Sequence, residues 1–428
     1  MSRRQHGRGR HGRRPAGRPP QAPTRVGERL TLDVEKVAHG GHCVARHEGQ
    51  VVFVRHALPG ERVVAEITDG TTKSRFLRAD AVEVLSASAE RVVPACPWSG
   101  PGRCGGCDWQ HTTVGYSREL KAQVVREQLQ RLAGLDREVA VEPLPGDADG
   151  MRWRTRVELT IDRGGRTGLR AHRSHRVVPV EDCAIAVPQV AETGAFSGQW
   201  PPGVSGVDVV VPSVGEPVMV TLPELDPAPS VRERVATTSY GTHELEVSPR
   251  GFWQVHPAAA RTFVEHVLQE LDPRAGERAL DLYCGVGLFA AFLADRVGPD
   301  GVVVGIEGDE RAAEEADLNT GAAGVRLVCG DVEEVLASPV ATEELGASHA
   351  DVVVLDPPRS GAGRRVMERV AALRPRAVAY VACDPAALAR DLSYAAELGY
   401  ELNSLRAFDA FPMTHHVECI AVLRPAAG

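Results

Sequence analysis

The stretch Ala279-Leu280-Asp281-Leu282-Tyr283-Cys284-Gly285-Val286-Gly287-Leu288-Phe289 reads as strand, glycine turn and helix. Gly285 and Gly287 carry no Cβ, so backbone there can approach a ligand closely. The third glycine of the dinucleotide fingerprint is missing, which argues against a pyrophosphate ligand. From about Gly251 onward, strands and helices alternate. The predicted strands are Arg278–Tyr283, Val302–Glu307, Val325–Val328, Asp351–Leu355, Ala377–Ala382, a run near Ser404–Phe408, and Val417–Leu423. Such alternation predicts a doubly wound α/β domain with its ligands at the carboxyl ends of the strands.

Those strand ends carry the chemistry. Glu307 ends the second strand, where an acid commonly binds ribose hydroxyls. Asp331 follows the third. Acids at Asp281, Glu307 and Asp331 disfavour a phosphate-rich ligand and suit a cationic one such as S-adenosylmethionine. Any one of them could instead cap a helix; all three doing so is the less expected reading. The fourth strand ends in Asp356-Pro357-Pro358-Arg359. Amino-group methyltransferases have Asn-Pro-Pro-aromatic at this place, so a different acceptor is expected. The fifth ends in Tyr380-Val381-Ala382-Cys383-Asp384-Pro385. Asp384 and Pro385 signal a helix start. Cys383 then sits between strand and helix, where a thiolate is favoured and a nucleophile is expected. A small buried apolar residue is the alternative.

Composition sets outer bounds. The 428 residues, 43% hydrophobic and 25% charged, suit two or three domains with real cores. No apolar run is long enough to span a membrane, and the basic N-terminus lacks the apolar core of a signal peptide. A cytoplasmic monomer without a membrane partner is expected. Nine cysteines, without the spacing of a secreted scaffold, point to metal or catalytic roles. Only Lys36, Lys73 and Lys121 among 49 basic residues are lysines. A GC-rich genome produces that bias, so not every arginine reads as a phosphate contact.

Four segments follow in order. Residues 1–24 are rich in Arg, Gly, Pro and Gln and read as a disordered tail, either an RNA-binding arm or a solvating terminus. Residues 25–86 hold short strands separated by Gly40-Gly41, Pro59-Gly60 and Asp69-Gly70, which predicts a small barrel. Residues 87–250 read as a small α+β central domain. It opens with Cys96, Cys104 and Cys107 in a Gly/Pro loop, with Cys183 the candidate fourth ligand. Four thiolates suit either zinc or an iron–sulfur cluster. A helix is predicted from Tyr116 to about Leu135 with Val125, Leu129 and Leu132 on one face, and a strand over Trp153–Ile161. Arg152, Arg154, Arg156, Arg170, Arg173 and Arg176 flank either an RNA groove or a solvated sheet face. Residues 251–428 form the α/β domain.

Taken together, these motifs resemble the uracil-5 RNA methyltransferases that use S-adenosylmethionine. The resemblance runs from about Arg25 to Leu423. Residues 25–86 are similar to the TRAM domain, an OB-like RNA-binding barrel, through Gly40-Gly41 and Leu58-Pro59-Gly60-Glu61-Arg62-Val63. Phe252-Trp253-Gln254, Asp281-Leu282-Tyr283-Cys284-Gly285-Val286-Gly287, Asp356-Pro357-Pro358-Arg359, Ala382-Cys383-Asp384-Pro385 and Phe411-Pro412-Met413-Thr414-His415-His416-Val417-Glu418 match the family's motifs. The resemblance implies a Rossmann-like class I methyltransferase domain and a cofactor site of Gln254, Tyr283, Gly285, Gly287, Glu307, Asp331 and Asp356. It also implies Cys383 as nucleophile, Glu418 as base, and a 4Fe-4S cluster on Cys96, Cys104, Cys107 and Cys183. His256 and Leu288 stand where the family has asparagine, and the first cysteine spacing is two residues longer than the commonest form. A TRAM barrel with a cluster resembles the 23S rRNA enzymes. A tRNA T-loop enzyme and a catalytically inactive iron–sulfur RNA-binding protein are the alternatives.

Overall fold

The computed structural model describes residues 22–338 and 349–427. The expected tail, residues 1–24, lies outside these except for its last three residues, and Thr24 already bridges to Thr71.

Strands β1 (Arg29–Ala38), β2 (His42–His47), β3 (Gln50–Arg55), β4 (Arg62–Asp69) and β5 (Phe76–Ser86) close a barrel in the order β1-β2-β3-β5-β4. Period-two alternation fills its interior with Leu30, Leu32, Val52, Val54, Val63, Ile67 and Leu77, all buried. The first turn needs φ of +97° and +79° at Gly40 and Gly41, which glycine adopts without strain.

Helix α1 (Val114–Gln128) starts at Thr113, whose hydroxyl accepts the Tyr116 N–H. A π turn over Leu129–Ala133 extends it to Gly134 at φ +65°. Val125 and Leu129 are buried as expected, but Leu132 is exposed. The wider turn shifts the helical phase, so Leu132 leaves the buried face. A five-stranded antiparallel sheet forms the central region. It comprises β7 (Arg156–Ile161), β8 (Thr167–Arg170), β9 (Val177–Pro179), β10 (Gly206–Val210) and β11 (Val218–Leu222), with helix α2 (Pro188–Glu192) between β9 and β10. A hairpin, β12 (Val231–Ala236) and β13 (Thr242–Val247), follows.

The main sheet has eight strands. Five are parallel: β14 (Arg278–Leu282), β15 (Val302–Glu307), β16 (Arg326–Cys329), β17 (Val352–Leu355) and β18 (Ala377–Ala382). Strand β20 (Glu418–Pro425) runs antiparallel between β18 and β19 (Tyr400–Asp409). The order is β16-β15-β14-β17-β18-β20-β19 and then an edge strand over Val141–Pro143, so the winding reverses between β14 and β17. Helices α3 (Ala259–Leu271), α4 (Leu288–Val297), α5 (Glu310–Thr320), α6 (Val332–Ala337), α7 (Gly363–Ala372) and α8 (Pro385–Glu397) cover it. One face buries Phe263, Phe289 and Phe292, and the other Tyr380, Leu388 and Val125. This is the doubly wound domain expected.

The edge strand β6 (Val141–Pro143) was not expected. It pairs with β19 in parallel, so residues assigned to the central domain complete the main sheet. A buried ion network reinforces that join. Lys121 Nζ on α1 lies 2.5 Å from Asp409 Oδ1 and donates to the Phe411 carbonyl at 3.1 Å. Arg118 bridges Asp409 and Asp147. Removing one partner from so buried a pair typically costs ~3–5 kcal/mol.

Candidate active site

Antiparallel pairing of β18 with β20 sets Ala382 opposite Cys419. The next residue on one strand is Cys383, and the preceding one on the other is Glu418, so the two lie side by side at the sheet's end. Asp384 caps α8, its carboxylate accepting the N–H groups of Ala386 and Ala387 at 2.9 Å each. Pro385 takes the first helical position, as its fixed φ favours.

Electrostatics corrects one expectation here. Burial and the carboxylates of Glu418 and Asp356 push Cys383 up to about 12, against the pull of Arg359. These neighbours favour the Cys383 thiol over the thiolate. The helix N-terminus already has its anion in Asp384, and two further carboxylates oppose a second. Burial, then Asp356, raises Glu418 well above the usual carboxylate range. Burial, then Glu307, raises Asp356 to about 7.

The three strand-end acids all accept backbone N–H groups. Asp281 Oδ2 takes Ala290 N–H at 2.8 Å in the first turn of α4. Glu307 takes those of Gly285 and Asp309, and Asp331 caps α6 through Glu334 N–H. Of the three only Asp331 is a helix N-cap, since Asp309 caps α5 and Gly287 stands at the start of α4, so the reading of all three as caps does not hold. Buried Asp281 Oδ1 keeps no partner among the described residues. The two glycines differ. A Cβ on Gly285 would meet open space, whereas one on Gly287 would lie 2.8 Å from Thr320 Cγ2 of α5. Gly285 therefore leaves room beside a ligand, and Gly287 serves the packing of two helices. Tyr283 precedes them at φ +62°, a conformation non-glycine residues rarely adopt. Gln254 is buried in the segment before α3. His256 is buried too, stacked on Trp153 at 5.9 Å, with Nε2 unpartnered among the described residues.

Sequence reasoning missed two residues, Asp108 and His39, that tie this site to the other domains. Asp108, next to Cys107, accepts the backbone N–H of His415 at 3.1 Å and lies 2.6 Å from its Nδ1. Burial pushes Asp108 up, but His415 and Arg55 outweigh it and hold the carboxyl at about 2. His39 Nε2 of the barrel lies 3.1 Å from Asp384 Oδ2. Arg359 Nη2 lies 3.3 Å from His416 Nε2. Burial, His415 and Arg359 lower His416 to about 3, so it stays neutral. The only local hint was the position of Asp108 directly after a candidate ligand.

The four cysteines share one locale. Cys104 pairs with Ala171 at an isolated bridge, and Gly105 donates to the Arg170 carbonyl, which ties the loop to β8. Burial, with the other cysteines, raises Cys104 to about 11 and pushes Cys107 higher still. Gly106 N–H donates to Cys104 Sγ at 3.4 Å, and Gln110 donates to Cys107 Sγ at 3.5 Å. Among the described residues, no three His, Cys, Asp or Glu side chains form a group able to hold a metal ion. No helix among them is long and apolar enough to cross a membrane.

Known proteins resemble this chain over most of its length. Residues 23–82 match the TRAM domain model. Residues 258–377 match the methyltransferase small domain, and residues 340–425 match the tRNA (Uracil-5-)-methyltransferase model. An RNA methyltransferase of Streptomyces avermitilis is 50% identical, covering 94% of this chain and 99% of the relative. The 23S rRNA (uracil(1939)-C(5))-methyltransferase RlmD of Shewanella halifaxensis is 30% identical, covering 94% and 97%. The crystal structure of Pyrococcus abyssi tRNA (uracil-54, C5)-methyltransferase with S-adenosyl-L-homocysteine superposes with a TM-score of 0.67. At 22% identity it covers 92% of this chain and all of that one, a likeness of fold.

Proposed function

The chain belongs to the S-adenosylmethionine-dependent RNA uracil-5 methyltransferases, and from that premise we propose that it methylates one uridine of 23S rRNA through a covalent Cys383 adduct. The observation that carries the reading is the adjacency of Cys383 and Glu418 at the ends of paired strands, with Asp356 close enough to perturb both. Full-length similarity to the RlmD enzymes favours rRNA as substrate. An enzyme acting on rRNA works in the cytoplasm.

Carbon 5 of uracil is a poor nucleophile. Cys383 loses its proton to solvent on its partly exposed side, and sulfur adds to carbon 6. The carbon 5–carbon 6 π electrons move into an enolate, which makes carbon 5 nucleophilic. Carbon 5 attacks the methyl group of S-adenosylmethionine, and S-adenosylhomocysteine leaves. Glu418, which acts here in its ionised form after losing its own proton, then removes the carbon 5 proton, the double bond re-forms, and Cys383 departs as thiolate. Its raised proton affinity suits a carboxylate that must take a proton from carbon. Asp356 would face the positive charge of the cofactor, which would offset the carboxylates that favour the Cys383 thiol. A paired uracil could not present both ring carbons, so the target base is flipped or unpaired.

Gln254, Tyr283, Gly285, Gly287, Glu307, Asp331 and Asp356 are proposed to hold the cofactor, with the open space over Gly285 in support. Cys96, Cys104, Cys107 and Cys183 are proposed to hold a 4Fe-4S cluster on donor type alone, since as they stand they do not close into a metal-holding group; N–H groups point at two of the sulfurs, and Arg152 and Arg154 add positive charge nearby. Such a cluster would supply a covalent tie between the Cys96–Cys107 loop and the turn after β9, and the methyl transfer needs no electron from it. Nucleotide-resolution mapping of 5-methyluridine tests the whole reading. Loss of one 23S rRNA site in a deletion strain supports it, and loss from tRNA alone replaces the substrate.

A further inference from the structure

The outer face of the barrel carries rings where strand alternation calls for polar groups. Cys43, Val52, Val54, Leu77 and Ala79 point inward and are at most 1% exposed. Their neighbours His42, Phe53, Phe76 and Arg78 point outward. The His42 and Phe53 centroids are 4.6 Å apart, and those of Phe53 and Phe76 are 5.3 Å apart, both edge to face. The Arg78 guanidinium lies 4.8 Å over the Phe76 ring, which is 38% exposed. The barrel core is filled by aliphatic side chains, so these rings are not needed to close it.

This row of rings reaches the active site. His42 directly follows Gly41, and a Cβ on Gly41 would lie only 2.7 Å from His415 Cβ. The His415 and His416 rings are 4.0 Å apart, and His416 meets Arg359. At the other end the loop before Phe76 adds exposed Lys73 and Arg75. Burial lowers His42 to about 4, so at neutral pH it is an uncharged ring.

We propose that His42, Phe53, Phe76 and Arg78 form a stacking track for unpaired nucleotides of the RNA substrate, running across the barrel to the mouth of the active site. The proposal rests on the reading of RNA as substrate and specifies how its single-stranded flank is held. Rings with a guanidinium at their edge and basic residues alongside fit base faces and phosphates together. Duplex RNA hides its base faces, so the track selects single strands.

The test uses the full chain and two probes, a short single-stranded oligouridine and a ribose-phosphate oligomer of equal length without bases. Phe76→Leu and Phe53→Leu keep an apolar side chain and remove the ring, and thermal melts confirm their folding. Each variant should bind oligouridine about fivefold or more weakly, bind the base-free oligomer as the wild type does, and keep the same salt slope. Unchanged oligouridine affinity in both variants, or an equal loss on both probes, would overturn the track. Methylation of rRNA by the wild type is scored separately. If the wild type methylates and the ring variants bind normally, the track alone falls. If ring loss weakens oligouridine binding but no methylation occurs, the track stands and the catalytic reading falls.

Discussion

His39 of the barrel reaches Asp384, the residue beside Cys383, with Nε2 3.1 Å from Oδ2. The RNA-binding barrel therefore touches the N-terminal cap of the helix that follows Cys383. Asp384 also holds two backbone N–H groups, and the two roles separate by mutation. Asp384→Ala should destabilise the protein by about 1 kcal/mol, the usual cost of a lost cap. His39→Gln removes only a partly exposed contact and should cost at most about 0.5 kcal/mol. Denaturant melts of both variants check the order, and equal losses would put the strength of this contact in the barrel docking instead of the cap.

Lys121 holds the chain that leads to Glu418. Its ammonium is buried between Asp409 and the Phe411 carbonyl. Lys121→Met should cost about 3 kcal/mol, because Asp409 stays buried with Arg118 as its remaining cation. Turnover should fall with it, since residues 411–418 lose an anchor. A melt unchanged from the wild type would show that Arg118 alone suffices.

The proposed cofactor role of Asp356 predicts that binding depends on pH. Burial and Glu307 raise it to about 7, so its anionic form predominates only above that pH. An anion favours the sulfonium, so S-adenosylmethionine should bind more tightly as pH rises through about 7. S-adenosylhomocysteine, without the sulfonium, should follow pH less. Calorimetry on the wild type and Asp356→Asn checks this, and the variant should flatten the profile. A wild-type affinity that falls with rising pH would contradict the assignment.

The cysteine locale has a direct chemical test. Anaerobically purified protein should contain iron and acid-labile sulfide, and Cys104→Ser should lose both. Stoichiometric zinc without sulfide would replace the cluster. Cofactor binding should persist in Cys104→Ser, because Cys104 is bridged to Ala171 of the central region and not to the main sheet.

Local signals were legible in the sequence and long-range ones were not. Continuous apolar runs marked the buried parallel strands, and Val302–Glu307 and Ala377–Ala382 appear with the expected bounds. Asp384-Pro385 announced its helix because a cap is written in adjacent residues. Strand β6 is three residues long and has no periodicity to read; only its partner β19 makes it a strand. The contact of Asp108 with His415 joins residues far apart in sequence, as does that of Lys121 with Asp409. The thiol form of Cys383 was missed for the same reason. A helix N-terminus is visible locally, whereas the opposing carboxylates of Asp356 and Glu418 arrive from other strands.

The roles of Cys383 and Glu418 meet in one experiment. Glu418→Gln is incubated with 23S rRNA and S-adenosylmethionine, then run on a denaturing gel. The variant can add Cys383 and transfer the methyl group but cannot readily remove the carbon 5 proton. It should stall as a slower protein–RNA band that requires S-adenosylmethionine and disappears in Cys383→Ala/Glu418→Gln. Normal turnover by Glu418→Gln with no such band would contradict the account.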